Sequence, residues 1–460
     1  MALTTKEGDA PRDLEGLQSA VVIVGAGQAG LSMSYCLTQR GVDHVVLERD
    51  RIGHDWQDRR WDSFCLVTPN WQCQLPGFPY AGDDPDGFLV REEIVEYIEA
   101  YAKSFGPPVI EGIEATRLRR DGNRSYLVDT SHGELIADQV VLATGPYQVP
   151  RIPRLAERLP DVLTQIHSSQ YRSPHQLPSG EVLVIGTGQS GCQIAEDLHL
   201  GGRRVHLAVG SAPRVARFYR GRDVMAWLAD VGYYRKAVSE FADADRVRFR
   251  VNHYVTGRDA GRDIDLRTFA REGMQLYGRL NGVFGATVHF APDLEKNLDN
   301  ADAVAESIKD SIDSYIDAQG ISAPCEPRYT PVWTPEQERT QLNLADTGIT
   351  SVIWSTGFGR DDRWIEVPVF DGRGYPTHGR GVTTSPGLYF LGLPWQHTYT
   401  WGSGRLSGVA QDAAYLTERI ITHPAQSGAG QSEHLFRWIA GTSTSTYPRD
   451  DEWVAPRTVA

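Results

Sequence analysis

A chain with two glycine-rich turns, each directly behind a short and wholly apolar run, is constrained to build two strand–turn–helix units. The first turn, Gly25-Ala26-Gly27-Gln28-Ala29-Gly30, follows Val21-Val22-Ile23-Val24. The second, Gly186-Thr187-Gly188-Gln189-Ser190-Gly191, follows Val182-Leu183-Val184-Ile185. In each GxGxxG pattern the first glycine makes the tight turn and the second lets the backbone approach a pyrophosphate. The third lets helix and strand pack closely. One such pattern is weak evidence. Two, in the same context, point to a protein that holds two nucleotides face to face, and so to a flavoenzyme fed by a nicotinamide cofactor.

The flanking residues assign the turns. Leu31 to Arg40 reads as a helix closed by Gly41, and Val45-Val46-Leu47 as a second buried strand. Glu48 at its end is the acid expected to accept hydrogen bonds from ribose hydroxyls, which assigns the first turn to FAD. The second helix, Ser190 to Leu200, stops at Gly201-Gly202, and a strand follows over Val205 to Val209. Here Gly210 stands where the acid would be, and Ser211, Arg214, Arg217 and Arg220 come next. A 2′-phosphate needs cationic partners, so this turn is assigned to NADPH. Ser211 and Arg214 are candidates for that contact, and the choice among the arginines stays open.

Net charge is −13, which argues against nucleic acid as a partner, because neutralising phosphates needs a basic face. The five cysteines (Cys36, Cys65, Cys73, Cys192 and Cys325) form no CxxC and no Cys/His metal spacing. An odd count with no signal-peptide pattern implies reduced thiols in a cytoplasmic protein. No apolar stretch approaches the ~20 residues of a membrane helix.

Further along, Ile94, Ile98, Tyr101 and Phe105 repeat at helical spacing over Arg91 to Phe105. Strands near Ser125 to Asp129 and Gln139 to Leu142 lead into Ala143-Thr144-Gly145. The run Val352 to Phe358 mirrors Val141 to Gly145, and Leu388 to Gly392 reads as a last strand over the flavin. Together these segments predict an α/β fold with two Rossmann-like dinucleotide-binding domains. Residues 1–165 and 340–460 form a discontinuous FAD-binding domain, and 166–339 the NADPH-binding domain. The latter carries a helical insertion over 221–319, with its clearest helix at Ala301 to Ala318. That insertion is expected either to roof the active site, or to cover a sheet face or form a homodimer contact.

In these features the chain resembles the class B flavin-dependent monooxygenases. That group contains the flavin-containing monooxygenases, the plant YUCCA enzymes and, more distantly, the Baeyer–Villiger monooxygenases. The resemblance runs from about Val21 to Ile421. Besides both turns it includes Arg60-Trp61-Asp62-Ser63-Phe64-Cys65-Leu66-Val67-Thr68, the Ala143-Thr144-Gly145 and Ser355-Thr356-Gly357 links, and Gly392-Leu393-Pro394. Of the signature FxGxxxHxxx(F/Y) only the second half is present. His167 and Tyr171 match it, while Asp161 and Leu163 take the Phe and Gly positions. The resemblance implies hydride transfer from NADPH to FAD, then activation of O2 as a flavin C4a-hydroperoxide. One oxygen passes to a small organic substrate, with nitrogen-containing compounds among the candidates. N- or S-oxygenation, Baeyer–Villiger insertion and oxidative decarboxylation all remain open, because pocket walls decide among them.

The expected cofactor contacts are Gly25, Gly27, Gln28, Ala29, Gly30, Glu48, Arg49, Trp56, Arg60, Thr68, Ala143, Thr144, Gly145 and Gly392. To these are added Gly186, Gly188, Gln189, Ser190, Gly191, Ser211, Arg214, Thr356 and Gly357. Asn70 is the candidate polar group beside the activated oxygen, since related enzymes carry an Asn just after this Thr; the alternative is a turn residue in Thr68-Pro69-Asn70. His167 and Tyr171 are expected at the hinge between domains, with a satisfied core histidine as the alternative. Trp395, His397 and Trp401 follow the last strand and are candidate substrate-pocket walls or, alternatively, core aromatics. A disulfide reductase of the same plan would need a closely spaced redox cysteine pair, which Cys65 and Cys73 do not form. An NADPH oxidase that releases H2O2, or a non-catalytic flavin-binding protein, would share all of these features.

Overall fold

The computed structural model describes residues 14–122, 125–242, 252–398, 404–422 and the two-residue strand at 453–454. Strand β1 (Leu17–Val24) buries Val21 through Val24 completely or nearly so. A run without polar alternation suits a strand covered on both faces. The glycine turn follows, then helix α1 (Gln28–Gln39) and strand β2 (His44–Leu47). Helix α2 (Arg91–Phe105) comes next, as its spacing predicts. Strand β3 (Gly133–Leu142) lies on the far side of β1, so that Val22 faces Val45 on one flank and Val140 on the other. Alternate residues feed two cores. Val21, Ile23, Val46 and Val141 pack on one face of this sheet, and Val22, Val24, Val45 and Val140 on the other.

The second unit repeats the plan. Strands β4 (Thr164–His167) and β5 (Glu181–Ile185) are followed by helix α3 (Gln189–Leu200) and strand β6 (Val205–Ala208). Helix α4 (Val224–Asp230) begins the stretch expected to be an insertion. Strand β7 (Gln275–Tyr277), helix α5 (Leu294–Gln319) and strand β8 (Ile349–Trp354) complete the unit. The sheet order is β4-β8-β5-β6-β7, all parallel. The chain then returns to the first sheet, where β9 (Leu388–Phe390) pairs in parallel with β3, and helix α6 (Val409–Thr422) packs on α1.

The structure differs from the sequence reading in two places. Residues 340–460 do not all join the first unit, because β8 lies in the second sheet between β4 and β5. Val141 to Gly145 and Val352 to Phe358 look alike because each belongs to the strand beside the one that enters a glycine turn. The chain changes sheets beyond them, at a small ribbon of Phe358–Gly359 against Val149–Pro150. Nor is 221–319 wholly helical. It contains β7 at the sheet edge and a hairpin of Leu280–Phe284 with Thr287–Phe290. Strands of three to five residues carry too few side chains to show a period.

Candidate active site

Both helices behind the turns begin on a glycine with no side-chain cap, Gly27 before α1 and Gly188 before α3. Their first N–H groups have no intrahelical acceptor, and the helix dipole makes each end a site for an anion. Gly25 adopts φ +104°, and a Cβ there would stand 2.7 Å from the carbonyl oxygen of Ala143. Gly186 repeats this with φ +102° and a Cβ 2.7 Å from the carbonyl oxygen of Ser355. Neither position can carry a side chain. A Cβ on Gly30 or Gly191 would overlap the carbonyl oxygen of Gly25 or Gly186, so these two glycines serve helix–strand packing. A Cβ on Gly27 would meet nothing within 4 Å. That open side is the cleft.

The cleft has a volume of about 1180 Å3 and is lined by both turns. Of the expected cofactor contacts, Gly25, Gly27, Gln28, Ala29, Glu48, Arg49, Trp56, Arg60, Thr68, Ala143, Thr144, Gly145, Gly188, Gln189, Ser190, Gly357 and Gly392 all face it. Glu48 accepts a hydrogen bond from the Ala26 N–H at 2.7 Å and from the Asp50 N–H at 3.0 Å. It thereby ties the first turn to the end of β2. The two turn glutamines play matching parts. Gln28 donates to the Gly404 carbonyl at 3.3 Å and accepts from the Trp56 indole at 3.3 Å. Gln189 donates to the Val255 carbonyl and accepts from the Val255 N–H. The Arg60 guanidinium lies over the rings of Trp56 and Phe64, 5.2 and 5.6 Å from their centres. These residues fit two dinucleotides: uncapped helix ends for pyrophosphates, a carboxylate for a ribose, and glycines where backbone must come close.

Other expected site residues lie elsewhere. Asn70 is buried outside the cleft, donating to the Asp84 carbonyl at 2.9 Å and accepting from the Leu89 N–H at 2.7 Å. Its side chain pins the loop before α2 and does not line the cleft where oxygen would be activated. Arg214 is buried against Asp302 at 2.6 Å and stacks on Tyr329. Arg217 pairs with Asp223, and Arg220 with Asp313. None of the three is free for a 2′-phosphate, and Ser211 is exposed outside the cleft. Thr356 donates to the Arg151 carbonyl and supports the crossing. Trp395 is buried beside Val238 and Phe241, and the His397 carbonyl accepts from the Val238 N–H at 2.8 Å. Neither lines the cleft, and Trp401 lies outside the described residues.

His167 sits where the units meet. Its Nε2 lies 3.0 Å from the Gly357 carbonyl and its Nδ1 accepts from the Ser169 N–H at 3.2 Å, with the ring edge-on to Phe358. Burial holds its pKa down to about 4 against the opposing bond to Gly357, so the ring is neutral near pH 7. It positions the crossing, with its one ring proton on Nε2 donated to the Gly357 carbonyl. Tyr171 donates to Asp197 on α3 at 2.7 Å.

The wall residues that sequence reasoning did not name come from the insertion it offered as a possible roof, after β6. Met225 and Leu228 on α4, with Tyr233, Tyr234, Asn252 and His253, line the same cleft as the turns. This stretch roofs the site. The paired tyrosines were the available signal, but no periodicity aimed them inward. All five cysteines are unpaired and none lines the cleft. Burial raises the thiol pKa of Cys65 to about 11, which leaves no reactive thiolate beside the nucleotide sites.

Residues 22–257 match the model of the pyridine nucleotide-disulphide oxidoreductase family. A CzcO-like oxidoreductase of Geobacillus kaustophilus is 33% identical over 407 residues, covering 88% of this chain and 98% of its own. The rice indole-3-pyruvate monooxygenase YUCCA1 is 34% identical over 42% of this chain and 48% of its own. Among solved structures, a flavin-containing monooxygenase from Stenotrophomonas maltophilia superposes with a TM-score of 0.60 at 19% identity, over 88% of this chain and 99% of its own. The chain therefore belongs to the pyridine nucleotide-disulphide oxidoreductase family and is an oxidoreductase built on the plan of the class B flavin-dependent monooxygenases.

Proposed function

We propose that this oxidoreductase binds FAD at the first turn and NADPH at the second, and uses O2 to oxygenate a small organic substrate. The observation that carries the reading is the single cleft shared by both turns. Two dinucleotides seated on α1 and α3 would extend into one space. When bound, FAD accepts hydride and supplies the oxygen-activating chemistry, and the protein's part is orientation and exclusion of water. Backbone N–H groups at Gly27 and Gly188 hold pyrophosphates, and Glu48 keeps lone pairs for a ribose. Gly210 in place of an acid leaves nothing to repel a 2′-phosphate. Met225, Leu228, Tyr233 and Tyr234 form a largely apolar roof against water. The five unpaired cysteines support a reducing, cytoplasmic setting.

Mixing the FAD-reconstituted protein with NADPH without oxygen tests the first half of this reading. Bleaching of the flavin is expected, and a flavin that stays yellow ends the proposal. Readmitting air tests the second half. NADPH consumption that rises with substrate and yields little H2O2 is expected, whereas peroxide equal to NADPH consumed under every condition identifies an oxidase instead.

A further inference from the structure

Six arginines line the cleft: Arg49, Arg51, Arg59, Arg60, Arg363 and Arg405. Four of them have a carboxylate at ion-pair distance: Arg49 with Asp50, Arg51 with Asp58, Arg59 with Asp55, and Arg363 with Asp361. Arg60 and Arg405 have none among the described residues. Arg60 rests on Trp56 and Phe64 and donates to the Arg59 carbonyl, among the residues expected around the flavin.

Arg405 is placed differently. Its neighbour Gly404 accepts from Gln28, so the backbone abuts the first turn. The guanidinium reaches to the roof, where it lies 5.1 Å from the ring centre of Tyr234. Its Nη1 is buried and makes no hydrogen bond. A buried charged donor without an acceptor is costly, and native proteins rarely keep one without a use. Among the described residues, no carboxylate on the roof lies at ion-pair distance from Arg405. The polar neighbours lining the cleft there are Asn252, Tyr147, Tyr233 and Tyr234, none of them a carboxylate, and His253 is held neutral by burial and by Arg405 itself. The remaining walls are apolar: Val215, Met225 and Leu228.

We propose that Arg405 is the specificity residue of the substrate pocket, and that the substrate carries a carboxylate on an apolar body. One guanidinium matches one carboxylate in charge and in its two-pronged geometry. A phosphate dianion would call for a second cation; Arg60, the other unpaired arginine, shares Tyr147 as a neighbour with Arg405 but is stacked on Trp56 and Phe64 and donates to the Arg59 carbonyl. The thioether of Met225, the side chain of Leu228 and the tyrosine rings suit an apolar or aromatic body. This inference rests on the monooxygenase reading, since it takes the roofed space to be the substrate's. The cofactors' phosphates carry the same charge, and the test separates the two sources.

The test uses the oxidised FAD-loaded protein without turnover. Perturbation of the flavin spectrum is titrated with benzoate, phenylacetate and indole-3-acetate, and with the three matching carboxamides. The acids are expected to bind and the amides to bind at least roughly tenfold more weakly, the worth of one charge-assisted hydrogen bond. Arg405→Met should retain FAD and lose the preference for acids, and Arg405→Lys should keep part of it. Equal binding of acids and amides, or no response to any acid, overturns the proposal. So does an Arg405→Met protein that no longer holds FAD or needs far more NADPH to bleach, because the guanidinium would then serve a cofactor. Failure of the monooxygenase reading shows elsewhere, as wild-type flavin that NADPH does not bleach.

Discussion

The glycines of each turn do two separable jobs, and single methyl groups tell them apart. Gly30 gives α1 room against the Gly25 carbonyl, which is backbone and cannot step aside. Gly30→Ala should therefore distort the turn, cost about 1–3 kcal/mol and lower the melting temperature of the protein even without FAD. Gly27 has a helix-compatible φ of −70° and open space where a methyl would go. Gly27→Ala should melt like the wild type but hold FAD poorly, because the new methyl projects where a phosphate approaches. Thermal melts paired with flavin occupancy check both, and equal behaviour of the two variants would refute the division of labour. Arg214 gives a third case. Removing it leaves the largely covered Asp302 with Arg267 as its one ion-pair partner among the described residues. Arg214→Ala should cost about 2–4 kcal/mol in urea unfolding. Its ratio of NADPH to NADH activity should stay unchanged, against the role that sequence position suggests. The sequence displays an arginine after β6; it does not display the aspartate on α5 that already occupies it.

At the level of elements, legibility follows the length of the repeating pattern. The apolar runs of β1 and β5, the helical spacing of α2 and the glycines at both turns each report on their own neighbours, so they are readable in one dimension. The roles of Asn70 and Trp395 depend on partners far along the chain. Asn70 looks like a flavin-side residue until the loop at Asp84 and Leu89 closes over it. Trp395 looks like a pocket wall until Val238 packs on it. The sequence leaves a roof and a sheet cover or dimer contact as alternatives for the insertion, and the packing of α4 on Ile312 and Ile316 of α5, with Met225 and Leu228 on the cleft, supports the roof. β4 ends in His167, and that placement has a pH consequence. The unfolded histidine titrates near 6.5, the folded one near 4. Between those values the unfolded chain takes up a proton that the folded chain refuses. This contribution is fully present above about pH 6.5 and is lost as pH falls toward 4, in total about 3 kcal/mol. His253 shifts the same way, so the wild type alone does not isolate the effect. Urea unfolding at pH 7.5 and pH 5 should show a smaller drop for His167→Asn than for the wild type. An identical drop would place the acid sensitivity elsewhere.

For the whole molecule, holding two dinucleotides is not sufficient; the units must also be held at the distance and angle that hydride transfer requires. One carboxylate spans them. Asp197 on α3 accepts on one oxygen from the Ser63 hydroxyl at 2.6 Å and from Arg258 at 2.7 Å, and on the other from the Tyr171 hydroxyl at 2.7 Å. Ser63 lies in the segment between Arg60 and Thr68 that lines the flavin side of the cleft, whereas Tyr171 follows the first strand of the second sheet. The carboxylate is nearly buried, so its bonds are little screened by solvent. Asp197→Asn keeps the volume but removes the charge that orients Arg258 and Ser63, and the two units should loosen against each other. Misplacement by about 1 Å is enough to slow a positioned reaction by roughly a hundredfold. FAD content should therefore stay normal, while the rate of anaerobic bleaching at saturating NADPH falls by about tenfold or more. Saturation matters, because it removes weaker NADPH binding as the cause. If bleaching at saturation keeps its rate while only the unfolding midpoint drops, Asp197 is a brace within α3's surroundings and some other contact sets the distance between the cofactors.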